Sequence, residues 1–201
     1  MSLFIAFEGG EACGKSTQAA LLAARLGAVL TREPGGTAVG ERVRALLLDP
    51  DAGALDARAE ALLLAAARAQ HVAEVVAPAL GSGRIVVTDR FSHSSLAYQG
   101  YGRGLPLAEV RDLSEWATGG LWPDVVVLLD LASDEAAARR GRPDRFESEG
   151  RDFDRRVEAG FRTLAAGEPA RWRVVDGSGS IDEVAARVWD AVAGLVDGVR
   201  P

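Results

Sequence analysis

Continuous apolar runs alternate with amphipathic stretches along the 201 residues of the chain. Five short runs rich in branched residues predict β-strands, at residues 3–7 (LFIAF), 28–33 (AVLTRE), 84–89 (RIVVTD), 124–131 (DVVVLLDL) and 171–176 (RWRVVD). The run at 28–33 is the weakest of the five. The others are mostly continuous apolar runs and not alternating ones, which is typical of strands that are covered on both faces of a parallel sheet.

Helical patterns lie between these runs. They span residues 15–26, 37–48, 57–80, 106–118, 151–166 and 180–196. Strand and helix alternate along the whole chain, and there is no internal repeat or low-complexity linker. We therefore expect one α/β domain over residues 1–201, with a five-stranded parallel sheet flanked by helices on both faces.

Composition narrows the class of protein. The net charge of −6 argues against a general nucleic-acid binder, which normally has a basic face. No stretch approaches the roughly 18 apolar residues of a membrane span, and the amino terminus lacks the basic region of a signal peptide. The single cysteine, Cys13, cannot form an internal disulfide. We expect a cytoplasmic protein without nucleic-acid or membrane partners.

The only lysine of the chain, Lys15, lies in the segment FEGGEACGKSTQ, although lysine and arginine together number 23. Gly9, Gly14, Lys15 and Ser16 match the phosphate-binding pattern GxxxxGK[ST], between a predicted strand and a predicted helix. The glycines let backbone amides turn toward phosphates at the positive end of that helix. A compact ammonium fits such a cradle better than a planar guanidinium does, which explains a lysine here.

We predict that this loop binds ATP with Mg²⁺. Lys15 would contact the β- and γ-phosphates and the Ser16 hydroxyl would bind the metal ion. The predicted nucleotide-binding residues are Gly9, Gly10, Glu11, Ala12, Cys13, Gly14, Lys15, Ser16 and Thr17.

The predicted strand at 84–89 ends with Asp89, followed by Arg90. Ligands bind at the carboxyl ends of the strands in open α/β sheets. Asp89 is therefore a candidate magnesium ligand, directly or through water, and Arg90 a candidate ligand of an acceptor phosphate. A surface salt bridge at the end of a strand is the alternative explanation.

The residue types exclude one large class of phosphate-binding-loop proteins. Switch GTPases read guanine with an Asn-Lys-x-Asp motif, but this chain has no asparagine and no second lysine. Motor and transporter ATPases are usually larger or have partner domains. A small kinase that phosphorylates a metabolite is the leading class. A catalytically silent nucleotide-binding protein is the alternative, and the presence of Lys15, Ser16 and Asp89 argues against it.

Further motifs resemble those of the thymidylate kinase family, which phosphorylates dTMP to dTDP with ATP. They are FEGGEACGKST, TREPGGT, RAQHV, DRFSHSSLAYQG, WPDVVVLLDL and DRFESEG, and they extend over nearly the whole chain. The resemblance implies a P-loop nucleoside monophosphate kinase fold, an enzyme of dTTP biosynthesis and a homodimer. The long apolar helices at 57–80 and 106–118 are the expected dimer surface.

Matching positions imply the dTMP site. Arg44 and Arg90 correspond to arginines that bind the monophosphate, and Arg68 and Gln99 to residues that read thymine. The full set is Glu11, Glu33, Arg44, Leu64, Arg68, Arg90, Ser94, Ser95, Tyr98 and Gln99. Ordinary structural roles are the alternatives: a turn at Glu33, a solvated helix face at Arg44 and Arg68, a polar loop at Gln99, helix N-capping at Ser94 and Ser95, and a core position at Tyr98.

Two positions depart from the family pattern. Leu64 stands where relatives usually have an aromatic residue that stacks on thymine, so another nucleoside monophosphate or deoxynucleoside kinase is the runner-up. Cys13 stands where a small residue is usual.

Ala12 occupies a slot that is an arginine in some members of the family. The positive charge for phosphoryl transfer is then expected from a lid at about 139–151. Arg142 and Arg145 are the favoured catalytic residues besides Lys15 and Arg90. A solvated basic run is the alternative for this segment.

Overall fold

The computed structural model describes residues 2–132, 135–136, 145–146 and 149–196. Its sheet contains β1 (Phe4–Glu8), β2 (Val29–Arg32), β3 (Val86–Asp89), β4 (Val125–Asp130) and β5 (Trp172–Asp176). All five strands are parallel, in the order β2–β3–β1–β4–β5. The predicted five-stranded parallel sheet is confirmed, including the weakest of its predicted strands.

Helices cover both faces of this sheet. They include α1 (Lys15–Leu26), α2 (Ala38–Leu48), α3 (Ala57–His71), α4 (Ala77–Gly81), α5 (Ser92–Ser95), α6 (Leu107–Thr118), α7 (Arg151–Gly167) and α8 (Ile181–Val196). The π-helical turns Val72–Val76 and Leu96–Gly102 follow α3 and α5. The predicted helix at 57–80 is therefore α3, a π-helical turn and α4 in succession. The pattern analysis missed α5 and the turn that extends it.

The central strand β1 shows why its sequence is a continuous apolar run up to Phe7. Ile5 and Phe7 pack on one face of the sheet with residues of α1 and α8. Phe4 and Ala6 point to the opposite face and pack with residues of β3, α4 and the π-helical turn before it. Because alternate side chains are buried on opposite faces, no position within β1 is left for a solvated polar residue.

Parallel pairing also gathers the carboxyl ends of the strands at one edge. Phe7 pairs with Asp89 across β1 and β3, so the residues that follow these two strands are neighbours. The loop 9–14 follows β1, and Arg90 follows β3. The two sequence motifs are brought to the same edge by the sheet, although about 75 residues separate them.

Candidate active site

The loop between β1 and α1 has the backbone of a phosphate cradle. Gly9 has a φ of +142°, and a Cβ atom there would lie 2.7 Å from the carbonyl oxygen of Leu129. Gly14 has a φ of +97° and begins α1 without any side-chain cap. The first amides of α1 therefore keep their hydrogens for a ligand, which is the usual arrangement at an anion site.

Lys15 folds back over this loop. Its ammonium donates to the carbonyl oxygen of Gly10 at 2.5 Å and lies 3.6 Å from the Sγ atom of Cys13. Cys13 is buried in the apolar core beneath the loop, beside α1 and β4. The thiol thus supports the loop from the protein side, whereas Lys15 lines the cleft above it.

Ser16 and Asp89 meet at the edge of this cleft. The Ser16 hydroxyl donates to Oδ2 of Asp89. The other carboxylate oxygen, Oδ1, is buried and has no hydrogen-bond partner among the described residues. The described part of the chain has no cluster of three or more His, Cys, Asp or Glu side chains for a metal. These two oxygen donors suit Mg²⁺, which usually keeps waters and phosphate oxygens as its other ligands.

Arg90 has a strained backbone, and its guanidinium is held by several hydrogen bonds. Its φ of +71° is unusual for a residue with a side chain, and Ala12 shares the left-handed region with a φ of 57°. The guanidinium donates to the carbonyl oxygen of Gly9 and the hydroxyl of Ser94, each at 3.1 Å. It also donates to Oε1 of Glu11 at 2.5 Å. Arg90 therefore ties the phosphate loop to α5.

Glu11, Arg90 and Tyr98 form one charged group. The Tyr98 hydroxyl donates to Glu11 at 2.6 Å. Burial opposes ionisation of Glu11, but the charges of Arg90 and Lys15 outweigh it and lower the pKa of Glu11 to about 2. Burial and the neighbouring Glu11 raise the pKa of Tyr98 well above its usual value. At neutral pH the group holds an ionised Glu11 and a neutral tyrosine.

A cavity of about 550 Å³, including the solvent at its mouth, lies beside this group. All ten residues predicted for the dTMP site line it. The remaining lining residues were not predicted; they are Pro34, Leu48, Phe91 and Phe146. We call this the acceptor cavity.

Arg68 is positioned in the acceptor cavity by buried partners. Its Nε atom donates to Oε2 of Glu33 at 2.7 Å, and Nη2 donates to the Ser95 hydroxyl at 3.0 Å. The other oxygen of Glu33 lies 2.9 Å from Nδ1 of His71. Glu33 is therefore a buried partner of Arg68 and not the exposed turn residue of the alternative explanation.

Ser94 and Ser95 do not cap a helix. The residue that precedes α5 is Phe91, and the buried carboxylate of Glu8 accepts hydrogen bonds from the amides of Phe91 and Ser94. Glu8 thus takes the capping role that the alternative explanation gave to the two serines. Their hydroxyls instead contact Arg90 and Arg68.

A second cleft lies over the phosphate loop. Its lining includes Lys15, Ser16 and Asp89. It shares four charged residues with the acceptor cavity, namely Glu11, Glu33, Arg44 and Arg90. Two adjoining sites with a common charged wall are suited to bring two anionic ligands together.

The comparisons with known proteins agree with this geometry. The family model for thymidylate kinase matches residues 7–188. The thymidylate kinase of Synechococcus sp. (strain JA-3-3Ab) is 53% identical over 195 residues, which cover 94% of this chain and 95% of that protein. The thymidylate kinase of Deinococcus radiodurans is 50% identical, covering 95% and 96% of the two chains. The chain belongs to the thymidylate kinase family.

Solved structures agree as well. The crystal structure of the thymidylate kinase from Ehrlichia chaffeensis superimposes with a TM-score of 0.81 at 33% identity, covering 95% of this chain and 98% of that one. Together with the family match, this identifies the fold as that of P-loop nucleoside monophosphate kinases. The reaction of the family is the phosphorylation of dTMP to dTDP, so this chain is a phosphotransferase.

Two arginines of the predicted lid, Arg142 and Arg145, were expected to be catalytic. Only Arg145 belongs to the described residues. Arg142 and most of the predicted lid at 139–151 lie outside them. The Nε of Arg145 donates to the carbonyl oxygen of Leu47 and its Nη2 donates to Glu60, both at 2.7 Å. In this arrangement the guanidinium of Arg145 is engaged by Leu47 and Glu60, and its expected role at the transferring phosphoryl group stays a prediction.

Two buried polar residues of α3 were missed by the sequence analysis. Glu60 and His71 lie on the helix face that carries Leu64 and Arg68, at spacings of four, four and three residues. That period is the signal that points to them, because residues three and four apart share a helix face. Polar residues in register with two cavity-lining positions are candidates for a buried network.

Proposed function

We propose that this member of the thymidylate kinase family transfers the γ-phosphoryl group of ATP to dTMP, with ATP over the phosphate loop and dTMP in the acceptor cavity. The observation that carries this assignment is the charged wall shared by the two sites, above all Arg90 beside Glu11. Catalysis then consists mainly of positioning and charge stabilisation, as is usual for phosphoryl transfer.

On the donor side, residues 9–17 bind the triphosphate through backbone amides and through Lys15. Ser16 and Asp89 hold Mg²⁺, which neutralises charge on the phosphate oxygens when it is bound. Their present contact places both oxygen donors at one point of the cleft, and the unpartnered Oδ1 of Asp89 supports the assignment.

On the acceptor side, Arg44 and Arg90 bind the monophosphate of dTMP. Arg44 lies on α2, and its Nη1 donates to the carbonyl oxygen of Pro34 at 3.0 Å, which fixes the guanidinium at the cavity wall. Burial and the nearby charge of Arg32 lower the pKa of Arg44, which is still far above neutral for a guanidinium, so the group stays charged. An oxyanion between these arginines offsets their mutual repulsion.

Thymine is read by residues of α3 and of the π-helical turn after α5. Arg68 is a donor toward O4 of the base, and Gln99 has one amide oxygen, Oε1, that is buried without a partner among the described residues. That oxygen is an acceptor for the N3–H of thymine. Leu64 supplies an apolar wall, and Tyr98 lies toward the sugar, where it crowds a 2′-hydroxyl.

The proposed lid at about 139–151 supplies positive charge to the transferring group. Ala12 leaves the phosphate loop without an arginine, and its backbone already lies in the left-handed region. Arg142 is the first candidate for this role. Arg145 would have to leave Glu60 to take part.

We also propose a cytoplasmic homodimer. Within the described residues, no helix is long and apolar enough to cross a membrane. Trp116 of α6 is 82% exposed and Leu62 of α3 is 58% exposed. Exposed large apolar side chains on two packed helices are typical of a subunit interface. Light scattering of the parent protein and of Trp116→Arg tests this: the proposal expects a dimer and a monomer, respectively.

An acceptor screen tests the activity. Purified protein with ATP and Mg²⁺ is given dTMP, dUMP or thymidine, and ADP formation is followed. We expect the highest kcat/KM with dTMP and no turnover of thymidine, because the nucleoside offers no phosphate to Arg44 and Arg90. ADP formation that is independent of the acceptor, or that favours thymidine, would contradict the proposal.

A further inference from the structure

Glu60 is a buried carboxylate to which the reaction gives no role. It lies in the first turn of α3, is 0% exposed and does not line the acceptor cavity. Its Oε1 accepts from Nε2 of Gln99 at 2.8 Å and from Nε of Arg103 at 3.2 Å. Its Oε2 accepts from Nη2 of Arg103 at 3.0 Å and from Nη2 of Arg145 at 2.7 Å.

The ionised carboxylate of Glu60 can only accept hydrogen bonds from Gln99. Burial alone would raise the pKa of Glu60, but hydrogen bonds from Arg103, Gln99 and Arg145 lower it. An ionised carboxylate has no proton to donate, so only the amide nitrogen of Gln99 can face it. The two ends of a glutamine amide have similar shapes, and the partner decides which end points where.

The orientation leaves the amide oxygen of Gln99 for the ligand. Oε1 is buried and has no partner among the described residues, and Gln99 lines the acceptor cavity. Thymine and uracil present a donor at N3 and an acceptor at O4. Cytosine presents an acceptor at N3 and a donor at its 4-amino group. An acceptor on the protein at this point matches the first two bases and opposes the third.

We propose that Glu60 is a specificity-determining positioning residue, which makes the pocket select bases with an N3–H by holding the amide of Gln99 in one orientation. The inference rests on the proposed placement of dTMP in the acceptor cavity. Glu60 acts through Gln99 and does not contact the base. Arg103 donates to both oxygens of Glu60 and Arg145 donates to Oε2, and Glu149 in turn holds Arg103 at 2.6 Å.

The substitution Glu60→Gln reverses the polarity with little change in shape. The oxygen of the new side chain takes the position of Oε2, because two arginine donors meet there. Its amide nitrogen then takes the position of Oε1 and donates toward Gln99. The amide oxygen of Gln99 then accepts this hydrogen bond, and its Nε2 turns toward the base. The hydrogen bond from Nε of Arg103 to position Oε1 is lost, because a nitrogen donor now occupies that position.

The experiment measures kcat/KM for dTMP, dUMP and dCMP with the full-length parent and with Glu60→Gln. We expect the ratio of dTMP to dCMP to fall by about tenfold to a hundredfold, the size of one mispaired buried polar contact. The ratio of dTMP to dUMP should not change, because both bases present the same edge at N3 and O4. An unchanged ratio of dTMP to dCMP in a folded variant would overturn the proposal.

Arg103→Met is the matched control. It removes a partner of Glu60 but leaves the carboxylate facing Gln99, so we expect lower thermal stability with the parent ratio of dTMP to dCMP. A shift as large as that of Glu60→Gln would mean that network integrity, and not amide orientation, sets the ratio. If Glu60→Gln does not fold, the double variant Glu60→Met/Arg103→Met removes both charges together and leaves Gln99 without an orienting acceptor, so the ratio of dTMP to dCMP should still fall, but by less than expected for Glu60→Gln.

A different result is expected if dTMP does not bind in the acceptor cavity at all. A parent protein that shows no preference for dTMP over dCMP argues against thymine in this cavity. A parent with that preference, together with a Glu60→Gln variant that retains it, argues only against the role of Glu60.

Discussion

The carboxylate of Glu8 accepts two hydrogen bonds from Ser94, one from the hydroxyl at 2.5 Å and one from the backbone amide at 3.1 Å. The two residues are 86 positions apart in the chain. Ser94 in turn accepts from Arg90, so Glu8 fixes the start of α5 and, through it, the arginine assigned to the acceptor phosphate. A buried carboxylate in this place gives the fold a dependence on pH.

We predict that Glu8 makes the protein less stable as the pH rises from about 4.5 to about 7. Burial, only partly offset by Ser94 and Arg90, raises the pKa of Glu8 from 4.5 to about 7. The folded state therefore binds more protons than the unfolded state between about pH 4.5 and pH 7, and the free energy of unfolding falls over that window. The contribution is at most about 3 kcal/mol.

Glu8→Gln isolates this contribution, since the amide keeps an acceptor for the two backbone N–H groups. Urea unfolding of the parent and the variant at pH 5, 6, 7 and 8 gives the difference between them at each pH. The free energy of unfolding of the variant should rise relative to that of the parent from pH 5 to pH 8. A difference that is constant with pH would show that Glu8 does not titrate in this range.

Lys15→Ala should abolish transfer while the protein stays folded. The ammonium lies over the phosphate loop and contacts Gly10, so its loss removes positive charge from the γ-phosphate in the transition state. We expect kcat to fall by at least about 100-fold. Stopped assays give kcat, and the melting temperature tests folding.

Lys15→Arg is the control for charge alone. Because a planar guanidinium does not fit the cradle, this variant should recover little of the lost rate. Near-normal turnover by a folded Lys15→Ala protein would rule out the assigned role.

Leu64→Phe should tighten dTMP binding. Leu64 lines the acceptor cavity and packs against the cluster that contains Tyr98. A ring at this position adds a stacking surface worth about 1 kcal/mol, so Kd should fall by roughly tenfold at most. Calorimetry measures the change. Leu46→Phe, on α2 and 44% exposed, is the control and should leave Kd unchanged.

Alanine variants of the two lid arginines should have different effects, one on kcat and the other on stability. We expect Arg142→Ala to reduce kcat by about 10³, the scale of a catalytic arginine, with little change in dTMP affinity. Arg145→Ala should instead lower stability by about 1–3 kcal/mol, because Glu60 loses one of its buried donors. Steady-state kinetics and urea unfolding of both variants measure these effects.

Ala12→Arg in the Arg142→Ala background should restore part of the rate, since both placements direct charge at the same oxygens. If the double alanine variant at positions 142 and 145 keeps kcat within a few-fold of the parent, the lid does not supply the charge. Lys15, Mg²⁺ and the acceptor-site arginines would then have to supply it.

Local patterns in the sequence predicted the sheet and most helices because each depends on residues close together in the chain. The continuous apolar runs reflect burial on both faces. The glycines at 9 and 14 mark a backbone with positive φ, and at Gly9 a side chain would also clash with Leu129. The helix α5 was missed because four residues with a polar pattern carry little periodic signal. Its start depends on Glu8, which is distant in sequence.

The sequence by itself determined the class of fold, the phosphate loop and, by resemblance, ten of the residues that line the acceptor cavity. Only the tertiary structure decided how those residues are held. Glu11 pairs with Arg90, Glu33 with Arg68, and Glu60 with Gln99, across separations of 79, 35 and 39 residues. A periodic pattern shows which face a side chain occupies, but the partner of a buried charge is set by the packing of elements far apart in the chain.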